Sequence, residues 1–375
     1  MKYMGSKRYM LSNGLGKILH QEVNSYKRII DLFSGSAAVT WFLAENFSKK
    51  IISVDLQKYS QILANSVFKR TSPINVNLLW KHWLTNFNRI LVKHHLYEKS
   101  LSLEKENLPI EEWALRARQI CKKEDFGLVW NAYGGYYFSP LQALKIDILL
   151  KSIPFDCPER YVAYAAVIIA TSKCSASPGH TAQPFKPNKT AGKFLKESWE
   201  RDPVNYAKQA FYYIGGKFSK NIGESFTIDA LEYIKNLTKG DLVFIDPPYS
   251  GVHYSRFYHV LETIARGKIG NVTGTGRYPP FEERPVSSFS RKSESVKSFE
   301  NLIETIHKKG AEIILTYPNK DCSNGLSGET VIEICKRYYK IKQEIIYSNF
   351  STLGGNGNNR VARKKVPEMI LVLKK

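Results

Sequence analysis

The residues Asp246-Pro247-Pro248-Tyr249 stand directly after the apolar run Leu242-Val243-Phe244-Ile245. Two consecutive prolines hold the chain extended and stiff just past a strand end, so an aspartate carboxylate, a proline carbonyl and a tyrosine ring can face one pocket. That set suits the amino group of adenine. The amine lone pair is delocalised into the ring, and two acceptors on its hydrogens draw it toward a tetrahedral, nucleophilic geometry while an aromatic face stacks on the base. Direct attack on a sulfonium methyl then needs neither a covalent intermediate nor a metal. A structural Pro-Pro turn is the competing reading; the strand in front of the motif and a matching turn early in the chain favour the chemical one.

That early turn is Asp31-Leu32-Phe33-Ser34-Gly35-Ser36-Ala37, after the apolar residues Ile29-Ile30. A second short run, Ile51-Ile52-Ser53-Val54, ends in Asp55. A tight turn after one strand and an acid at the end of the next suit a nucleoside cofactor, with backbone near the ligand at Gly35 and Asp55 accepting from ribose hydroxyls. Only Gly35 is present where a pyrophosphate cradle needs G-x-G-x-x-G, so a cofactor without phosphates, S-adenosylmethionine, fits better than a dinucleotide. A helix cap is an equal reading of Asp55 taken alone.

These residues require a sheet to position them. Strand, turn and helix follow one another from Arg28 to about Asn46, a second strand runs from Lys50 to Asp55, and a helical pattern follows from Gln57 to Phe68. The same grammar returns at Asp241–Asp246, a helix Ser298–His307, a strand Glu312–Thr316, and strands near 344–348 and 368–373. Strands alternating with helices imply crossovers and a mainly parallel sheet. Both ends of the chain therefore read as halves of one doubly wound, Rossmann-like α/β sheet. Residues 76–222 are aromatic, basic and mostly helical, and read as an insertion, giving a division into 1–75, 76–222 and 223–375. A second, loop-like tract, 267–295, carries Arg277, Arg284, Arg291 and Lys292 among Gly, Pro and Ser, and reads as a stretch without structure of its own, either functional or disordered.

Composition points to the partner. The 375 residues hold 55 Lys and Arg against 34 acidic residues, a formal charge of +21, so a polyanion is expected and nucleic acid leads. No stretch approaches the ~20 uninterrupted apolar residues of a spanning helix, and no apolar signal core follows Met1. The expectation is a cytoplasmic, nucleoid-associated protein with no membrane partner. Five cysteines with no C-x-x-C pair argue against a disulfide framework and a structural zinc site.

In these motifs and their order the sequence resembles the alpha-type adenine-N6 DNA methyltransferases, the family of bacterial Dam, over about residues 1–70 and 224–375. Lys2-Tyr3-Met4-Gly5-Ser6-Lys7 resembles the family's N-terminal cofactor motif, implying that Tyr3 and Lys7 contact S-adenosylmethionine. The segment from Asp31 through Phe33 to Gly35 resembles the F-x-G-x-G turn around the methionine part, with Ala37 in place of the final glycine. Asp55 matches the ribose-binding acid, and Asp246 matches the first residue of a tetrad touching both cofactor and target base. Thr227-Ile228-Asp229 resembles a segment whose acid sits near the cofactor adenine; capping of the next helix is the alternative for Asp229. Tyr254 to His259 resembles an aromatic segment lining the cofactor or base pocket, and is also compatible with a plain amphipathic helix start.

The resemblance implies a class I methyltransferase fold, an inserted target-recognition domain, duplex DNA as substrate, base flipping, a possible cognate restriction endonuclease, and action as a monomer. Two aperiodic tracts, 133–140 and 172–185, are the expected DNA contacts through Tyr136, Tyr137, Ser139, Lys173, Ser175, Ser177, His180 and Gln183. Packed connecting loops are the alternative. Lys364 and Lys365, with Arg360 and Arg363, are either phosphate contacts or a solvated face.

Competing activities are weighed by single residues. A cytosine carbon-5 enzyme needs a Pro-Cys pair, and here Cys157 precedes Pro158. Cytosine-N4 or RNA amino methylation uses the same amine chemistry, although Asp rather than Ser at position 246 favours adenine by resemblance. A methyltransferase-like scaffold that binds DNA without catalysis is the reading from a different class.

Overall fold

The computed structural model describes Met1, residues 7–351 and residues 363–375, with side chains described from Lys7 to Tyr347 and from Pro367 to Lys375. The chain divides into two compact units, one drawn from Met4–Ser72, Phe218–Ser255 and Pro285–Lys375, the other from Met1–Tyr3, Pro73–Lys217 and Arg256–Arg284.

The first unit is built on a seven-stranded sheet. Its strands are β1 (Arg28–Asp31), β2 (Lys50–Asp55), β3 (Glu224–Thr227), β4 (Asp241–Ile245), β5 (Glu312–Pro318), β6 (Lys340–Ser351) and β7 (Arg363–Lys374). They lie in the order β3-β2-β1-β4-β5-β7-β6. The first five are parallel, and β7 runs antiparallel to both β5 and β6. Helices Ala38–Asn46, Lys58–Phe68 and Ser295–Lys309 supply crossovers between parallel strands. Strands covered on both faces read as continuous apolar runs rather than alternating ones, and all five residues of β4 are buried. Ile30, Ile52, Val54, Val243, Ile245, Ile313 and Leu315 meet Phe299, Leu302 and Ile306 of the helix before β5 in one core. Register between β1 and β4 is secured at the strand starts, where Arg28 pairs bidentately with the buried Asp241, Nε to Oδ1 at 2.8 Å and Nη2 to Oδ2 at 2.6 Å.

Strand order reverses between β1 and β4. Connections leave β1 in one direction and β4 in the other, so a crevice opens beyond the carboxyl ends of these two strands. Asp31 ends β1 and Asp246 follows β4.

The second unit is mainly helical. Its long helices include Val76–Val92, Ile110–Lys123, Pro140–Lys151, Glu159–Cys174 and Pro203–Gly215. Trp113, Ala117, Leu195 and Trp199 form one of its buried clusters. Residues 256–284, which linear order attaches to the C-terminal segment, group with these helices, so the tract read as one loop over 267–295 is shared between the two units. That tract is not without structure: it contains a bridge between Thr273 and Tyr278 and short 3-10 turns at Phe281–Glu283 and Ser288–Ser290. Among the described residues no helix is long and apolar enough to cross a membrane.

Candidate active site

The turn after β1 is held from β2. Ser34 Oγ donates to the Val54 carbonyl at 3.1 Å, Ser53 Oγ donates to Ser34 Oγ at 2.8 Å, and Gly35 N–H donates to Asp55 Oδ2 at 2.8 Å. The other Asp55 oxygen accepts from Gln57 N–H at 2.9 Å. Asp55 is thus a clasp between the turn after β1 and the chain that enters the helix Lys58–Phe68. Gly35 and Ala37 both lie in the left-handed region, at φ 48° and 58°. Ala37 therefore stands where the backbone favours glycine, the one place where this turn departs from the F-x-G-x-G pattern.

Asp31 is completely buried. Thr40 Oγ1 donates to its Oδ2 at 2.6 Å, and Oδ1 has no partner among the described residues. Burial, opposed by the Thr40 bond and reinforced by the charges of Asp246 and Asp55, pushes its carboxyl up to about 7. Phe33 packs edge-on against Phe289, ring centres 5.1 Å apart.

At the end of β4, Asp246 Oδ1 receives two donors. Lys7 Nζ lies 3.0 Å away, and Thr316 Oγ1 of β5 donates at 3.0 Å. Lys7 Nζ also reaches Glu368 Oε2 of β7 at 3.3 Å, and both partners of that pair are buried. Burial raises the Asp246 carboxyl to about 6, against the lowering effect of Lys7 and with a further upward push from Glu368. For Lys7, burial works against the charge, but the two carboxylates outweigh it and raise its proton affinity above that of an ordinary lysine.

The proline segment is pinned from a loop after β5. Asn324 Nδ2 donates to the Pro248 carbonyl at 2.9 Å and to the Phe289 carbonyl at 3.0 Å. Tyr249 is half-buried, its ring perpendicular to that of Tyr254 with centres 6.4 Å apart. Lys7, Asp31, Asp55, Asp246 and Tyr249 accordingly occupy loops and strand ends of a single sheet edge. Tyr3 lies outside the described residues. Asp229 caps the helix Ala230–Tyr233, its Oδ1 accepting from Leu231 N–H at 2.8 Å. Glu368, Thr316 and Asn324 were not picked out in the sequence; a lone Glu in the apolar run before Met369-Ile370-Leu371 is the one signal that could have marked the first of them.

The two aperiodic tracts of the helical unit require correction. Tyr137 is fully buried, its hydroxyl donating to the carbonyls of Thr181 at 2.7 Å and Gly276 at 2.9 Å. Ser139 is the buried N-cap of Pro140–Lys151 in a reciprocal box with Gln142. Ser175 and Ser177 are buried with their hydroxyls 2.8 Å apart. His180 is buried against Phe257, accepts from Ala182 N–H at 3.0 Å, and is held neutral by that burial, with its pKa lowered to about 4. These five side chains brace the tracts from inside and do not face solvent. Tyr136 is half-buried, with the guanidinium carbons of Arg118 and Arg277 at 4.6 and 4.7 Å from its ring centre, so its ring is engaged by cations rather than offered to a base. Lys173 and Gln183 are exposed. Arg360 lies outside the described residues, as do the side chains of Arg363, Lys364 and Lys365.

A seven-stranded sheet in this order, with an acid at the end of β2 and a second acid after β4, defines a class I methyltransferase fold. Residues 3–113 and 184–316, well over half the chain, match the D12 class N6 adenine-specific DNA methyltransferases, and the chain belongs to that family. The Type II methyltransferase M.FokI of Planomicrobium okeanokoites is 28% identical over 350 residues, covering 89% of this chain and 46% of that protein. Modification methylase StsI of Streptococcus sanguinis is 23% identical, over 90% of this chain and 46% of that one. Type II methyltransferase M.NlaIII of Neisseria lactamica is 26% identical, over 91% of this chain and 89% of that protein. The chain spans about half the length of the first two relatives.

Proposed function

We propose that the chain transfers a methyl group from S-adenosylmethionine to the N6 amino group of an adenine in a specific site of duplex DNA, flipping that adenine out of the helix. The observation that carries this reading is the arrangement of acceptors after β4. Asp246 Oδ1 is held by Lys7 and Thr316, and Oδ2 receives no hydrogen bond among the described residues. The Pro248 carbonyl is taken by Asn324, so the second acceptor is assigned to Pro247. Two acceptors on the amine hydrogens localise the lone pair, and the Tyr249 ring provides the stacking face.

The residues present fit the methyl donor. It is a cation, and the carboxyls of Asp31 and Asp246 stand together at the strand ends, where the buried Asp31 Oδ1 is an acceptor that no described residue satisfies. Asp55, at the end of β2, is the acid that would meet the ribose hydroxyls, and the turn through Phe33 and Gly35 would hold the methionine part. Asp229, at the end of the segment after β3, is the candidate for the adenine end, with Lys7 and Tyr3 acting from the N-terminal motif. When bound, S-adenosylmethionine supplies an electrophilic methyl.

The charge of +21 supports a duplex DNA partner through phosphate contacts, with residues 76–222 as the target-recognition domain. Relatives named as Type II methyltransferases support a restriction-modification role beside a cognate endonuclease. Monomeric action in the cytoplasm at the nucleoid completes the reading. The test is incubation with S-adenosylmethionine and unmethylated genomic DNA, followed by single-molecule sequencing. A single motif enriched in N6-methyladenine is expected; methylation of cytosine, or none with the cofactor bound, overturns it.

A further inference from the structure

Glu368 is a buried carboxylate with no role in the chemistry described so far. Its chain neighbours Met369, Ile370 and Leu371 are fully buried, and its side chain is 3% exposed. It reaches the crevice because β7 lies antiparallel between β5 and β6, with Glu368 opposite Pro318, two residues beyond the Thr316 that bonds Asp246. A carboxylate in such a position is costly unless a cation and a hydrogen bond compensate it. Lys7 supplies both, and the same ammonium serves Asp246. One buried cation thus bridges two carboxylates, one just after β4 and one on β7.

A lysine side chain has four rotatable bonds, and a contact with Asp246 alone leaves its ammonium free to swing between the two carboxylate oxygens. A second anchor on β7 removes that freedom. We propose that Glu368 is a positioning residue for methyl transfer: it holds the Lys7 ammonium on Oδ1 of Asp246, so that Oδ2 is turned to the target amine. This proposal rests on the functional reading above. It differs from a purely structural role, in which Glu368 only neutralises Lys7 to let β7 pack.

Groups facing Asp246 are Lys7 from the N-terminal segment, Asp31 from β1, Tyr254 beyond the tetrad, Tyr317 from β5 and Glu368 from β7. Removing the negative charge at Glu368 makes Asp246 easier to ionise, so the acid limb of the rate profile moves to lower pH.

The experiment uses the full chain, S-adenosylmethionine and a DNA duplex carrying the site that the wild-type protein methylates. Single-turnover rates are taken against pH for wild type, Glu368→Gln and Glu368→Asp, and cofactor binding is followed by calorimetry. Glu368→Gln is expected to slow transfer by about tenfold or more, with cofactor affinity within about threefold, and to move the acid limb down. Glu368→Asp, which keeps the charge but shortens the reach, is expected to slow transfer with the limb unmoved. A wild-type rate and limb in Glu368→Gln overturns the proposal. So does a rate loss that only tracks loss of folded protein, with the limb unmoved in the folded remainder. Absence of adenine methylation by the wild type overturns the functional reading and this proposal with it, and is seen before any variant is made.

Discussion

Lys7 and Asp246 meet with Nζ 3.0 Å from Oδ1, joining the start of the chain to the end of β4. The contact decides the charge state of the candidate catalytic acid. Burial alone drives the Asp246 carboxyl upward, and the ammonium opposes it, leaving the group near 6 and ionised at neutral pH. An acceptor is needed only in that state.

Asp246→Asn should therefore reduce methyl transfer by at least about 100-fold, because the amide oxygen is a weaker, uncharged acceptor. Lys7 keeps Glu368 as a partner, so the fold should hold. DNA affinity, read by gel shift, should stay within about threefold, since phosphate contacts carry most of it. In the wild type the rate should fall as pH drops through about 6. Full activity in the variant refutes the assignment.

Asp31 makes a stability prediction of definite sign. Its proton is held more tightly in the folded protein, at about 7, than at the ordinary 3.8 of an aspartate in an unfolded chain. Its contribution is full below that lower value and is lost as pH rises through about 7. At about 1.4 kcal/mol per pKa unit the loss amounts to a few kcal/mol at most. Thermal melts of the cofactor-free protein should show Asp31→Asn gaining on the wild type as pH rises from about 4.5 to about 8, which covers most of the span between the two values and passes its upper end by about one unit. A difference independent of pH speaks against a buried, protonated Asp31.

Ala37 occupies a left-handed conformation at φ 58°. An L-residue there costs roughly 1–2 kcal/mol, while glycine adds chain entropy to the unfolded state. Ala37→Gly should leave stability unchanged or raise it by up to about 1 kcal/mol, with cofactor affinity within about threefold. A tenfold loss of affinity, about 1.4 kcal/mol, would mean that the methyl group itself contacts the ligand.

The helical unit separates two kinds of residue in tracts that look alike in sequence. Lys173→Ala combined with Gln183→Ala should leave the melting temperature in place and weaken or relax methylation of the cognate site. Tyr137→Phe should instead destabilise the protein by about 1–3 kcal/mol, because it strands two buried carbonyls. Unchanged site preference in the double variant removes Lys173 and Gln183 from recognition.

Much of the α/β unit can be read in the chain itself. Apolar runs such as Ile29-Ile30 and Leu242 to Ile245 mark doubly covered strands, a glycine turn follows the first, and an acid with two prolines follows the second, because strand burial and turn chemistry are local properties. The helix Ser295–Lys309 differs from its expected bounds of 298–307 only at the ends, where periodicity is weakest. What could not be read locally is which distant group compensates a buried one. Glu368 meets Lys7 only through the antiparallel register of β7 on β5, Asn324 meets Pro248 across a loop, and Tyr137 is buried by residues 181 and 276. Residues 256–284 join the helices for the same reason. Composition and spacing determine which side chains can do chemistry and which strands carry them; burial, and with it charge state and exposure, is decided by long-range packing, since desolvation depends on every neighbour at once.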